Sequence, residues 1–300
     1  VLQNLSSSPW FISSKLGYEL KSKIDNVGMP LENWGVKINY GIKTGYNKAF
    51  IINAAKRNDI LSDCQSEKER NLTKEIIKPV LGGSSLSQFA HKPIDQWIIN
   101  THNGYTTQEG EYIEPIDIKD FPAIRNWLDE HKKEVYKRGD KGKTPYNLRN
   151  CAYLEEFNKN KVVWLNLNRK WKFSFVKPGI YCEASLNFLS SEKYAKVLTG
   201  ILSSNVILWY FKQIGRMHDR GGYMCKIDTF RAMPIPKMST QNERIFSDIE
   251  KIVDNILEKS RDGEENIESD LVNQINKLCY ELYSLSESEI LLIEDQCRNK

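Results

Sequence analysis

Few of the side chains suited to catalysis are arranged for it in this sequence. Pro93-Ile94-Asp95 and Asp117-Ile118-Lys119 supply two carboxylates and an amine, the groups with which a nuclease holds Mg2+ and activates water. Their spacing is loose, and Asp and Lys recur by chance in a charged chain, so no metal site is assigned. The six cysteines (Cys64, Cys151, Cys182, Cys225, Cys279, Cys297) contain no CxxC pair and lie apart from His91, His102, His131 and His218. That dispersal fits neither a zinc site nor a nucleophilic triad, and reduced thiols filling core positions are expected. Gly41-Ile42-Lys43-Thr44-Gly45-Tyr46-Asn47 lacks the G-x-x-x-x-G-K-[ST] spacing of a nucleotide-hydrolysing loop. No G-x-G-x-x-G occurs, and Ser8-Pro9-Trp10 has one proline where an Asn/Asp-Pro-Pro-aromatic motif needs two.

What remains is chemistry directed at a polyanion. Between His131 and Lys177 thirteen basic residues face four acidic ones, although the whole chain balances 43 Lys and Arg against 39 Asp and Glu for a net +4. Within that segment Lys137, Arg138, Lys141, Lys143, Tyr146, Asn147 and Arg149 alternate cations with Gly, a planar ring and an amide. Lys and Arg neutralise phosphates, Gly lets backbone amides approach them, and Asn and Arg hydrogen-bond base edges. Two further turns have the same character: Lys43, Thr44, Gly45, Tyr46 and Asn47, and Arg216, Arg220 and Tyr223 in a Gly-rich stretch. The competing reading of all three is a solvated loop whose charge serves solubility.

These loops need a frame, and 300 residues suffice for one large domain or two smaller ones with a sizeable core. Short β-branched and aromatic runs at Val36 to Tyr40, Ala49 to Ile52, Trp97 to Ile99, Val162 to Leu165 and Trp171 to Val176 predict strands. Phe121 to Lys137 and Ser191 to Ile214, the latter capped by Ser190, predict helices. Val197 to Phe211 is interrupted by Thr199, Ser203, Ser204 and Asn205, which reads as a buried helix and not a membrane span. After Pro234-Ile235-Pro236, Thr240 and Glu243 form a T-x-x-E capping box before Ile245, Phe246, Ile249, Ile252, Val253, Ile256 and Leu257 at helical spacing. Beyond the turn Arg261-Asp262-Gly263, a second helix follows through Ile267, Leu271, Ile275, Leu278 and Leu282, and Ser286 with Glu289 caps a third. From Ser239 onward fifteen acidic residues outnumber seven basic ones. The fold class expected is α+β: a sheet-rich recognition domain over 35–238 and an acidic helical segment over 239–300, preceded by a linker over 1–34. No apolar leader precedes Trp10, so a cytoplasmic setting is expected. The start at Val1 suggests a piece of a longer polypeptide.

The order of segments resembles the C-terminal specificity region of TaqI-like adenine-specific DNA methyltransferases and type IIG restriction-modification enzymes. The resemblance runs through Gly41 to Phe50, Lys78-Pro79-Val80-Leu81-Gly82-Gly83, the helix opening Phe121-Pro122-Ala123-Ile124, the basic loop Lys137 to Asn150 with Cys151-Ala152-Tyr153, Gly200 to Ser204, Met233 to Lys237, and Leu282 to Ile290. It departs at Gly82-Gly83-Ser84-Ser85, where family members often carry a cation. The resemblance implies a target-recognition domain that reads duplex DNA without catalysis of its own. A covalently linked methyltransferase domain upstream would bind S-adenosylmethionine, with Mg2+ where the parent also cuts, and would flip and methylate adenine at N6. Two other readings stand beside it: a Mg2+-dependent nuclease on Asp95, Asp117 and Lys119, and a structural module whose acidic helices bind a partner.

Overall fold

A computed structural model describes residues 15–219, 221–261 and 269–298. Arg220, Asp262, Gly263, Ile267 and the segment containing Ser8-Pro9-Trp10 lie outside the described residues, as does the side chain of Arg261. The architecture is mixed α+β.

A four-stranded antiparallel sheet divides the molecule into two cores. Its order is Ser174–Val176, Lys161–Leu165, Leu186–Ser190, Lys37–Tyr40. Alternate residues of a strand face opposite sides, and both sides here are apolar. Ile38, Val162, Trp164 and Leu189 enter one core, whereas Val163, Leu186 and Phe188 enter the other. The first core is completed by helices Lys15–Val27, Ala195–Ser203, Asn205–Ile214, Glu243–Arg261, Ser269–Leu282 and Glu287–Arg298. The acidic C-terminal helices thus share a core with the apolar helices 195–214. Lys23 joins Glu289 at 2.8 Å, which ties the first helix to the last.

The second core lies under another sheet, ordered Tyr181–Cys182, Ile77–Leu81, Gln96–Ile99, Ile51–Asn53, with the first pair parallel and the others antiparallel. The two sheets meet at a corner. Tyr181–Cys182 belongs to one and Leu186–Ser190 to the other, and the residues between them, 183–185, turn the chain. Beside this corner, Gly41 N donates to Leu186 O and Ile42 N to Cys182 O, at 2.8 and 2.7 Å. The approach is so close that a Cβ on Gly41 would lie 1.9 Å from Glu183 O.

Several predicted elements change form. Ala49 and Phe50 are helical, in Asn47–Phe50, and the strand begins only at Ile51, because Trp127 Nε1 binds Ala49 O at 2.8 Å and both side chains are buried. Trp171 leaves its strand because its indole donates to Leu202 O on a neighbouring helix, at 2.9 Å. The helix predicted over Phe121 to Lys137 is two, Pro122–Glu130 and Lys132–Lys137, broken at His131. The next is also two, because Ser204 adopts extended backbone and caps the second. Its start is at Ala195, where Ser191 Oγ accepts from Tyr194 N at 3.1 Å, while Ser190 lies in a strand. The helix predicted from Thr240 starts at Glu243, since Asn242 binds Ser239 N and Lys237 O and holds the preceding turn. The third cap forms as expected, with Glu289 accepting from Ser286 N at 2.7 Å.

All six cysteines are free thiols, and Cys182, Cys225, Cys279 and Cys297 are buried. Among the described residues no helix is long and apolar enough to cross a membrane.

Because the corner requires backbone contact at Gly41, Gly41→Ala should destabilise the chain by ~2 kcal/mol or more. Gly139→Ala, where a Cβ meets nothing within 4 Å, should be near neutral in the same urea titration.

Candidate nucleic-acid interface

The basic loop after helix Lys132–Lys137 is organised from inside by Arg138. Its Nη1 donates to Thr44 O at 2.5 Å and Asp140 O at 2.8 Å, and its Nη2 to Pro145 O at 2.8 Å and Asn147 O at 2.5 Å. The guanidinium carbon sits 4.2 Å from the centre of the Phe50 ring, and the residue is 5% exposed. Burial pushes its pKa down to about 10, opposed by nearby Asp140, so it stays cationic at neutral pH. A guanidinium presents donors in a planar fork, which is why one residue can bind carbonyls from both the 41–47 turn and the 137–149 loop. Gly45, at φ +72°, brings the turn against Asp140 and Arg138 with no side chain between.

Other residues expected to face DNA also point inward. Asn147 is 1% exposed: its Oδ1 accepts from Thr144 N and Oγ1, and its Nδ2 donates to Ile116 O and His102 O. Tyr146 is buried, and its hydroxyl donates to Asp129 Oδ1 at 2.7 Å. Burial first, then Asp129, raises this phenol far above its usual range. Thr44 is buried; its hydroxyl accepts from Tyr46 N and donates to Asn47 Oδ1. Tyr46 is half-buried, edge-on to His131. Tyr223 packs edge-on against Trp171 and Phe211 in the first core. None of these buried groups is free to read a base edge.

The outward set is Lys43, Asn47, Lys137, Lys141, Lys143 and Arg149 on the joined loops, with Arg216 on a separate small sheet. Lys141 Nζ is held by Tyr136 O at 2.8 Å and Arg149 by Asp140 at 2.9 Å. Lys43, Lys137 and Lys143 project their ammonium groups into solvent with no ion pair among the described residues. Asn47 Nδ2 donates to Glu183 Oε2 at 3.2 Å, and Glu183 Oε1 accepts from Gly83 N and Ser185 Oγ. Glu183, Asp129 and Asn103, which binds Lys143 N and Asn150, were not legible as site residues, because each acts across 40 or more positions of sequence or from another element. Asp117 Oδ1 accepts from Lys119 N as a turn cap, and no cluster of three metal-ligating side chains occurs among the described residues.

Arg138→Lys should cost ~2 to 4 kcal/mol, since a lysine cannot reach four carbonyls and each one stranded in the interior loses ~1 kcal/mol or more. Urea denaturation measures it. Lys143→Ala, on the exposed side of the same loop, should change stability by less than ~0.5 kcal/mol.

Residues 93–235 match the family model of the TaqI-like C-terminal specificity domain. No curated protein matches the sequence. Among solved structures, the type IIL restriction-modification enzyme MmeI in complex with DNA aligns with a TM-score of 0.58 at 11% identity, over 86% of this chain and 35% of that one. The type IIG restriction endonuclease BpuSI aligns with a TM-score of 0.46 at 13% identity, over 90% of this chain and 34% of that one. The chain therefore spans about a third of the length of either enzyme, and the likeness to MmeI is one of fold. The 137–149 loop that Arg138 holds lies within the matched residues 93–235.

Proposed function

We propose that the chain reads a short duplex DNA sequence as the specificity module of an adenine-N6 DNA methyltransferase, within a bifunctional type II restriction-modification polypeptide of the cytoplasm. The observation that supports this most directly is the pair of loops locked by Arg138, from which Lys43, Lys137 and Lys143 project unpaired. Unpaired, solvent-facing cations on a rigid backbone are what phosphate contact requires, because no ion pair has to be broken first and little loop entropy is lost on binding. Lys43, Lys137, Lys141 and Lys143 take phosphates in this reading. Arg149 and Asn47 are the polar groups available to base edges, each held by a carboxylate it can exchange for a base. Arg138, Thr44, Tyr146 and Asn147 set the loop shape.

This module carries no catalytic step of its own. S-adenosylmethionine binding and base flipping belong to a linked methyltransferase domain, and Mg2+ to a cleavage domain where the parent has one. Presence of DNA in the MmeI structure supports duplex DNA as the ligand class.

Selection of this chain on a randomised duplex library at two salt concentrations tests the reading. Enrichment of one short motif that persists at the higher salt is expected, and absence of duplex binding overturns it. In the same format, the double variant Lys137→Ala/Lys143→Ala should weaken binding to all sequences alike and lower the slope of log Kd against log salt by about 2, one per phosphate contact.

A further inference from the structure

A second cationic surface is attached to the corner through a small sheet. Ser185 O accepts from Asn166 N at 3.0 Å and Asn166 O from Cys225 N at 2.8 Å, which attaches the small sheet of Leu167–Asn168, Tyr223–Met224 and Arg216–Met217 to the corner. Cross-strand partners share a face. Leu167, Met224 and Arg216 therefore form one row, and Asn168, Tyr223 and Met217 the next. Asn168 and Tyr223 of the second row are buried while Met217 at its edge is exposed, and the first row faces outward through exposed Leu167 and Arg216 and half-exposed Met224. Exposed Arg169 follows at the end of the row, beside Gly222. Next to it Lys172 Nζ is held by Leu86 O at 2.8 Å, and burial together with neighbouring Lys170 and Lys92 holds that ammonium below its usual range. Lys92, Arg169, Lys170 and Arg216 are exposed and carry no ion pair among the described residues. The one carboxylate on the connecting stretch 218–222 is Asp219.

Exposed cations without acidic partners, beside exposed Leu167, suit a polyanion, whose phosphates they can neutralise. We infer that this row and the adjoining Lys92 and Lys170 are a second duplex-contact surface, in which Arg216, Arg169, Lys170 and Lys92 bind phosphate oxygens. The inference rests on the DNA-recognition reading and goes beyond it by assigning Lys92, Arg169 and Lys170, and by giving the duplex a second attachment point besides the locked loops.

The test is duplex binding by the 300-residue chain as a function of salt, for wild type and for the triple variant Arg169→Ala/Lys170→Ala/Arg216→Ala. All three sites are exposed, and an unchanged circular dichroism spectrum checks the fold. The slope of log Kd against log salt should fall by about 2 to 3, with affinity at moderate salt reduced about tenfold or more. A wild type that binds duplex, paired with a variant of unchanged slope and affinity, overturns the inference and leaves the DNA-recognition reading standing. A wild type that binds no duplex overturns both.

Discussion

Arg138 is the interaction on which the paired basic loops depend. Four carbonyls from two stretches nearly a hundred residues apart converge on one planar cation, and a hydrogen bond to a charged group contributes ~1.5 to 3 kcal/mol net. Burial of that cation has a cost, visible in its depressed pKa, and the carbonyls with the Phe50 face offset it. If the guanidinium is removed, the 41–47 turn and the 137–149 loop lose the group that joins them and keep four carbonyls facing the interior. The placement of Lys43, Lys137 and Lys143 relative to one another is therefore a consequence of a residue that itself faces away from solvent.

That arrangement separates the residues that hold the loop from the residues that face solvent. Thr44, Tyr146 and Asn147 complete the interior half, each satisfied within the protein. The outward positions make few contacts with the fold. Substitutions there can change the surface of the loop without refolding it, whereas substitutions of the inward set change stability first. Glu183 extends the same logic to the corner: one carboxylate receives Asn47, Gly83 and Ser185, and so joins the turn, the 82–85 loop and the strand crossover. The central sheet, apolar on both faces, then fixes the corner relative to the helical half.

Much of this frame was legible in the sequence. Short β-branched and aromatic runs pointed to the strands found at 37–40, 96–99 and 161–165, and helical spacing with the Ser286/Glu289 box pointed to the C-terminal helices. Breaks within long helical patterns were missed because His131 and Ser204 act through local backbone geometry, which the apolar period does not record. Of the three predicted loops, the one ending at Asn47 runs into a short helix and the one from Arg216 to Tyr223 begins and ends in strands, and the orientation of the side chains was not legible. Residue type suggests what Arg, Asn and Tyr can bond to, and the choice between a base edge and a backbone carbonyl is settled by tertiary contacts such as Phe50 beneath Arg138 and Asp129 beside Tyr146. Composition erred in the same direction, since it counts a buried cation and an exposed one alike.

The difference matters for how such a domain would use its charge. Of the thirteen cations between His131 and Lys177, Arg138 and Lys161 are buried on carbonyls, Lys141 and Lys172 bind carbonyls at the surface, and Lys159 and Arg149 are paired with acids. Those remaining face solvent on more than one part of the fold, on the locked loops and beside the small sheet. A few separated cations yield a modest salt-dependent attraction, far from the slope of a protein that neutralises six to ten phosphates. On the proposed reading, then, electrostatics alone would hold the duplex weakly, and the rigidity imposed by Arg138 has the larger consequence. Contacts fixed in position before binding set the register of the duplex against Arg149 and Asn47, which is where discrimination between sequences would arise.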